Sequence, residues 1–342
     1  YGTLIGQEYA EVFGDRIRAL VIDSNMDHSL GTRGFLTTET VTGEDSFDEF
    51  AAWCDRTAGC ALHAKGLRAV YTDLKVRAAG DGLVLRVRLD DEVIEIQVDE
   101  VVLPQLLFGG FYGPDWWFMA EILAALDAGT VVELSTTAAS AAAAGPGVAV
   151  ARGGVADRVL AGALPGRGKR PVGYQAGHPA VVAAPAAELA AEPEHLEYPV
   201  AVFCEDWSLP IRDFAEYDGY LRQLWRVAPD YGPSPIGHDM TISCLGWPGP
   251  VPNPQHQLRV RQSPTIFMIN SLHDPATGYA WATNAARQLG RHAVLVTYEG
   301  WGHGVYGRTG CTTAPVDAYL VGLRLPAPGA RCPAVEPPAP PS

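Results

Sequence analysis

The chain has 342 residues, of which 47% are hydrophobic and 19% charged, and its formal net charge is −14 from 39 acidic and 25 basic residues. This composition argues against an intrinsically disordered chain, and the acidic balance argues against a basic nucleic-acid-binding surface. No apolar run reaches the roughly 20 residues that a membrane-spanning helix needs. The length predicts two domains, or one domain with a large insertion.

The first predicted unit is a helix followed by a buried strand. Residues 2–13 place Ile5, Tyr9 and Val12 three or four positions apart, which is one face of a helix. Residues 18–23 form an apolar run that is typical of a parallel strand buried on both faces. The chain therefore opens on one helix–strand unit.

The pair Tyr1-Gly2 at the start fits the end of a G-x-S-x-G nucleophile elbow, in which a serine sits on a tight strand-to-helix turn. The second glycine of that motif allows the helix to lie close to the sheet. We expect the nucleophile to be a serine immediately before Tyr1, and the backbone N–H of Tyr1 to be one oxyanion donor. On this interpretation the 342 residues alone are a fragment that does not turn over substrate by a serine mechanism.

The middle of the chain is predicted to be mainly helical. Ser46 and Glu49 resemble a capping box at the start of a helix that continues through Cys60. Further expected elements are a helix over 64–78, a hairpin over 83–98, a helix over 116–126, and a helix over 213–227 with Leu221, Leu224 and Trp225 facing inward. Residues 138–195 are rich in Ala, Gly and Pro and are expected to form a flexible surface insertion.

Strand–helix alternation returns near the end of the chain. A strand over 265–270 leads to the loop of Asp274, a helix over 278–289 follows, and a strand over 293–298 leads to the loop of His303. Asp274 and His303 are 29 residues apart, which is room for one helix and one strand. The fold class is therefore α/β, with a doubly wound, mostly parallel sheet and a large helical insertion.

This order has a chemical meaning. A serine becomes a nucleophile when an imidazole takes its proton, and a carboxylate holds the tautomer of that imidazole. Asp274 and His303 both follow predicted strands, so their side chains are expected at the same edge of the sheet. Asp274 could instead begin a turn and His303 could be an ordinary loop residue. His273 and His292 are worse placed with respect to the strands, and Ser234 lies between two prolines that favour a turn.

Six cysteines form an even set without the C-x-x-C spacing of zinc or redox sites. They allow 15 pairings, and proximity along the chain favours Cys54–Cys60, Cys204–Cys244 and Cys311–Cys332. Three disulfides predict an oxidising, extracellular compartment. The alternative is a cytosolic protein with six free thiols. We expect no metal and no cofactor.

The final third of the chain resembles the secreted tripeptidyl-aminopeptidase-like family of α/β-hydrolases. The matching segments are Tyr1-Gly2-Thr3, Cys204-Glu205-Asp206-Trp207, Cys244 with Gly246-Trp247-Pro248, Asp274-Pro275, Gly302-His303-Gly304, and Cys311 followed by Val316-Asp317-Ala318-Tyr319-Leu320, Leu325-Pro326 and Cys332. The resemblance covers residues 1–30 and 200–332 well. The acid loop departs from the family where Thr277-Gly278 replaces Thr-Pro, so the substrate preference of this chain is left open.

The resemblance implies a partial α/β-hydrolase fold, with a core over 1–30 and 255–342 that lacks the amino-terminal half of its sheet, and a cap over 31–254. It implies that His303 is the general base, that Asp274 orients it, and that the protein removes short peptides from free amino termini. Glu205 and Asp206 are candidates for binding the substrate ammonium group, although they could simply cap the next helix. The alternatives are a carboxylesterase and a non-catalytic binding module, and the expected state is a monomer.

Overall fold

The computed structural model describes residues 1–89, 92–134 and 198–337. The predicted flexible segment over 138–195 lies outside the described residues. The helices are α1 Gly2–Phe13, α2 Thr32–Arg56, α3 Leu67–Ala79, α4 Val102–Phe111, α5 Trp116–Ala128, α6 Tyr198–Asp206, α7 Phe214–Val227, α8 Pro235–Ser243, α9 Tyr279–Leu289 and α10 Gly310–Gly322. The strands are β1 Val21–Asp23, β2 Leu83–Leu89, β3 Glu92–Val98, β4 Val131–Leu134, β5 Ile266–His273, β6 Ala293–Trp301 and β7 Arg331–Cys332.

The two ends of the described chain form one parallel sheet in the order β1-β5-β6-β7. The register places Val21 beside Phe267, and Ile266 beside Ala293. The predicted strands at 265–270 and 293–298 are confirmed, and each extends three residues further toward its carboxyl end. The predicted strand over 18–23 is shorter, since only Val21–Asp23 pairs with β5, and within it only Ile22 is fully buried.

Helices cover both faces of this sheet, as the predicted doubly wound arrangement requires. On one face Ile266 and Met268 pack with residues of α1 and α9, among them Ala10 and Leu289. On the other face Phe267 and Ile269 pack with α10 residues, including Val316 and Tyr319. Because successive residues of a strand point to opposite faces, an uninterrupted apolar strand is what a two-sided sheet needs.

Helix α1 lies close to β1 because of a glycine. A Cβ atom at Gly6 would be 2.9 Å from Ile22 Cγ2, so any larger residue would push the helix away. Gly2, the glycine that the elbow motif assigned to this purpose, has no described atom within 4 Å of where its Cβ would be. Among the described residues, the close helix–strand contact therefore depends on Gly6 rather than Gly2.

The middle of the chain contains a second sheet in the order β3-β2-β4. The predicted hairpin over 83–98 is confirmed as the antiparallel pair β2 and β3. The parallel strand β4 and helices α4 and α8 were not predicted, because their short apolar runs have no distinctive periodicity. No helix of the described ranges combines the length and apolar character that crossing a bilayer requires.

Helix α2 differs from its prediction. It runs without a break from Thr32 to Arg56, so the expected capping box at Ser46 and Glu49 is wrong, and so is the extension to Cys60. The Ser46 hydroxyl donates to the Thr42 carbonyl one turn earlier, which satisfies it inside the helix.

The large apolar core of this region brings together the aromatic side chains Phe47, Phe50, Trp53, Phe111 and Trp116. In α7 the prediction is right for Leu224, which is buried, and wrong for Trp225, which is 48% exposed. The described cysteines form the disulfides Cys54–Cys60, Cys204–Cys244 and Cys311–Cys332, with no free thiol among them.

Candidate active site

Asp274 follows β5 directly, and its side chain is almost fully buried. Its Oδ1 atom accepts hydrogen bonds from the backbone N–H groups of Ala276 at 2.9 Å and Thr277 at 2.8 Å, and Oδ2 accepts one from the Thr277 hydroxyl at 3.1 Å. Burial acts to raise the pKa of Asp274, but the facing His303 and the backbone donors lower it below its ordinary value. The carboxyl group is therefore an oriented anion.

His303 lies two residues beyond β6, which is the neighbour of β5 in the sheet. Its Nδ1 atom is 3.1 Å from Asp274 Oδ1 and 3.3 Å from the Thr277 hydroxyl oxygen. The carboxylate can only accept, so Nδ1 carries a hydrogen. Nε2 is then the basic nitrogen of the neutral ring, and it has no hydrogen-bond partner among the described residues.

The His303 loop is held by its neighbours on both sides. Gly302 and Gly304 have φ angles of +91° and +77°, which residues with a side chain rarely adopt. The backbone N–H of His303 donates to the Tyr112 carbonyl at 3.1 Å, and the two rings are 5.0 Å apart. Arg308 donates to the Tyr112 and His303 carbonyls, each at 3.0 Å, so α4 and the loop are fixed together.

The carboxyl end of β1 and the residue after it tie this loop to the start of α1. Asp23 accepts from the backbone N–H groups of Val305 and Tyr306, and the Ser24 hydroxyl accepts from that of Gly304 at 2.8 Å. Burial raises the pKa of Asp23 in spite of these donors. The Thr3 hydroxyl in turn donates to the Ser24 carbonyl at 3.2 Å. The first turn of α1 and the histidine loop therefore meet at one edge of the sheet.

Tyr1 immediately precedes α1, and its carbonyl accepts the N–H groups of Leu4 and Ile5. Its hydroxyl donates to Asp206 Oδ2 at 2.5 Å. Burial raises the pKa of the Tyr1 phenol, and the hydrogen bond and charge of Asp206 raise it further.

The two acidic candidates of α6 point to different partners. Asp206 contacts Tyr1, whereas Glu205 is exposed and accepts a hydrogen bond from the Trp247 indole at 3.1 Å. The structure therefore brings Asp206, and not Glu205, against the first residue of the chain.

The other residues considered as catalytic candidates contact groups outside the Asp274–His303 pair. His273 Nδ1 is 2.9 Å from Asp45, and His292 Nδ1 is 3.1 Å from the Ser263 carbonyl. Ser234 is buried at the N-cap of α8 and donates to Glu39 rather than to an imidazole.

Glu39 of α2 was missed by the sequence interpretation. It is fully buried, with burial first and the charge of Asp274 second raising its pKa well above the ordinary value. Burial of the phenol first, and then the charges of Asp274 and Glu39, raise the pKa of Tyr112 well above its ordinary value. No sequence motif surrounds Glu39. Only its spacing of three and four residues from Leu36 and Phe35 could have indicated that it lies on the buried face of the helix.

Residues 234–332 match the family described as TAP-like protein. The serine protease Hip1 of Mycobacterium tuberculosis is 25% identical over 345 aligned residues, which cover 97% of this chain and 56% of that protein. The chain thus spans little more than half the length of this relative.

Two shorter matches lie in other hydrolases. Carboxylesterase B of Mycobacterium tuberculosis is 31% identical over 135 residues, which cover 39% of this chain and 25% of that protein. The putative hydrolase YuaR of Escherichia coli is 34% identical over 73 residues, which cover 21% of this chain and 15% of that protein. Together with the parallel sheet and its covering helices, these matches assign the fold as part of an α/β-hydrolase. The match of residues 234–332 and the similarity to Hip1 support a relationship between this chain and the TAP-like α/β-hydrolases.

Proposed function

We propose that the full-length protein is an extracellular serine hydrolase that removes short peptides from free amino termini through an acyl-enzyme. The observation that carries the proposal is the contact of 3.1 Å between His303 Nδ1 and the buried Asp274 at the ends of two adjacent parallel strands. A carboxylate that fixes Nδ1–H leaves Nε2 to take a proton from a nucleophile. The protease and esterase relatives support this class of reaction.

The nucleophile in this proposal is a serine immediately before Tyr1. Such a serine would stand at the start of α1, whose first turn is linked through Ser24 to the histidine loop. His303 would then act as general base toward the serine and as general acid toward the leaving amine. The backbone N–H of Tyr1 would donate to the oxyanion, since the residue after the nucleophile supplies one such donor.

The preference for a free amino terminus is assigned to Asp206. Its carboxylate lies at the end of the Tyr1 side chain, and only Oδ2 is used by the Tyr1 hydroxyl. Three extended residues span roughly 10 Å, so the ammonium group of a bound tripeptide would lie roughly that far from the reacting carbonyl. The proposal places Asp206 at that ammonium group. Glu205 is the weaker candidate, because it is turned toward Trp247.

The reaction class is tested by labelling natural full-length protein with a fluorophosphonate and locating the label by mass spectrometry. We expect one labelled serine, directly before Tyr1, and no label after His303→Ala. A label on any other serine, or none on folded protein, would overturn the proposal and favour a non-catalytic binding role.

The substrate class is tested by comparing a tripeptide p-nitroanilide that has a free amino group with its N-acetylated form and with a p-nitrophenyl ester. Asp206→Asn is expected to raise KM for the free-amino peptide about tenfold and to spare the ester, since an amide cannot neutralise the ammonium charge. Glu205→Gln is the matched control. Equal activity on both peptides, with faster ester hydrolysis, would instead identify a carboxylesterase.

A further inference from the structure

A cluster of four polar side chains shares no hydrogen bond with Asp274 or His303 in the part of the chain that the structure describes. Its members are Glu8 and Glu11 of α1, His28 after β1, and His256 in the segment before β5. One ligand atom from each of Glu8, His28 and His256 lies within 4.8 Å of the other two. Because His28 and His256 are far from each other and from α1 along the chain, no local metal-binding motif indicates this cluster.

The second polar atom of each of these side chains is already held by a neutral group. His28 Nε2 is 2.8 Å from the Asp206 carbonyl, and His256 Nδ1 is 2.9 Å from the Pro254 carbonyl. Glu8 Oε2 accepts from the Asn253 amide at 2.8 Å, and Glu11 Oε1 accepts from the Arg259 backbone N–H at 2.9 Å. This is the outer layer of contacts that orients ligands around protein-bound zinc.

The histidine contacts decide which nitrogens carry hydrogens. Carbonyl groups only accept, so His28 Nε2 and His256 Nδ1 are protonated. In the neutral rings the other nitrogens, His28 Nδ1 and His256 Nε2, then present lone pairs to carboxylate oxygens. Those contacts are 3.2 Å to Glu8 Oε1 and 2.9 Å to Glu11 Oε2. A lone pair on an imidazole nitrogen and a carboxylate oxygen repel each other at these distances. The two contacts are therefore explained either by a proton on each ring or by one metal ion bound among the four side chains.

The spacing of the Glu8, His28 and His256 ligand atoms fits a single metal ion, and Glu11 lies next to His256. Zinc bonds of roughly 2.0–2.1 Å to nitrogen and oxygen place neighbouring ligands about 3.3 Å apart. The measured separations are 3.2 Å for His28–Glu8, 2.9 Å for His256–Glu11 and 4.0 Å for His256–Glu8. Movements of less than about 1 Å would equalise these three separations, whereas the Glu11 carboxylate would have to turn further to reach an ion held by Glu8, His28 and His256.

We propose that Glu8, His28 and His256 bind a structural Zn²⁺ ion and that the Glu11 side chain turns to supply the fourth ligand. Two imidazoles and two carboxylates favour zinc over Ca²⁺ and Mg²⁺, which take oxygen ligands. His28 is buried, while the His256 side chain is 33% exposed, so an ion can enter from solvent. The ion joins α1 to the segment before β5. Through the contact of His28 with Asp206 it also fixes the end of α6.

Zinc binding is measured by titrating tag-free full-length protein with Zn²⁺ at pH 7.5 after dialysis against EDTA. We expect one equivalent to bind with a Kd below about 1 μM, and saturation to raise Tm by a few degrees. His256→Asn and Glu11→Gln are expected to weaken binding at least about tenfold. His292→Asn, a substitution of a histidine outside the cluster, is the matched control and should bind like the parent. Circular dichroism shows whether each variant is folded.

The alternative is two imidazolium rings paired with the carboxylates without a metal. In that case Zn²⁺ and EDTA leave Tm unchanged, while raising the pH through the histidine range lowers it. That result, or equal zinc affinity in the parent and folded His256→Asn protein, would overturn the proposal. Co²⁺ gives an independent readout, because a tetrahedral site produces intense visible absorption that His256→Asn should abolish. None of these measurements depends on hydrolase activity.

Discussion

The parallel sheet and the mainly helical middle of the chain, from α2 to α8, differ in how their polar residues come together. In the sheet, Asp274 and His303 follow adjacent strands, and β-sheet register brings them together. In the helical region, Glu39 lies in the third turn of a 25-residue helix and approaches Asp274 only through tertiary packing. In the sheet, the order of strands along the chain is enough to bring Asp274 and His303 together. In the helical region, the position of Glu39 near Asp274 depends on how separate helices pack.

The largest expected effect comes from replacing the acid of the sheet. If the full-length protein has the proposed hydrolase activity, Asp274→Asn should lower its kcat/KM about 10⁴-fold, because an amide does not hold the imidazole in the required tautomer. Asp45→Asn removes the carboxylate next to the competing His273 and is the matched control, with an expected change of less than about threefold. Steady-state kinetics on the ester and the peptide measure both variants. If Asp45→Asn caused the greater loss, His273 rather than His303 would be the base.

The second effect concerns the backbone that carries His303. Gly302→Ala would place a Cβ atom 2.6 Å from the Tyr112 carbonyl at a φ of +91°. We expect a loss of more than about 2 kcal/mol in the free energy of unfolding measured in urea. Gly304→Ala has a similar φ of +77° and no described atom within 4 Å, so its loss should be only about 1 kcal/mol. Equal losses in the two variants would mean that the contact with Tyr112 is unimportant.

A third pair of glycines probes the helical region. Gly43 lies in α2 against the Tyr231 ring, which would be 2.7 Å from an added Cβ, so Gly43→Ala should destabilise the protein by about 1–3 kcal/mol. Gly219 in α7 has only the end of Arg222 within 4 Å, and Gly219→Ala should stabilise by about 0.5–1 kcal/mol through helix propensity. Thermal unfolding followed by circular dichroism should show a lower Tm for Gly43→Ala and a higher Tm for Gly219→Ala. A stabilising Gly43→Ala would contradict the close packing of α2 on Tyr231.

The smallest expected effect is a change in the pH dependence of Tm when Glu39 is replaced. Because its pKa is raised in the folded protein above the ordinary 4.5, the folded state keeps a proton that the unfolded chain releases. This contribution to stability is lost as the pH rises above that ordinary value. Glu39→Gln lacks it, so its Tm relative to the parent should rise between pH 5 and pH 8. Glu95→Gln, at an exposed position, is the control, and a Tm difference for Glu39→Gln that does not change with pH would contradict the assignment.

The same contrast explains what sequence could predict. Strands β5 and β6, helix α9 and the positions of Asp274 and His303 follow from apolar runs, a helical period and glycines, all of which are local signals. The course of α2 through Ser46, the strand β4 and the exposure of Trp225 depend on contacts between distant segments. Asp23 and Ser24, which hold the histidine loop, could not be recognised, since their partners lie about 280 residues away.

The three disulfides follow one another along the chain without overlap. Their cysteines are separated by 6, 40 and 21 residues, and each pair is complete before the next begins. Short loops close with a small loss of chain entropy, so each bridge can form as soon as its second cysteine is available. If the chain enters an oxidising compartment with its amino end first, each cysteine would therefore be joined by its correct partner before the next pair enters. Each bridge could then form before the chain beyond its second cysteine has arrived.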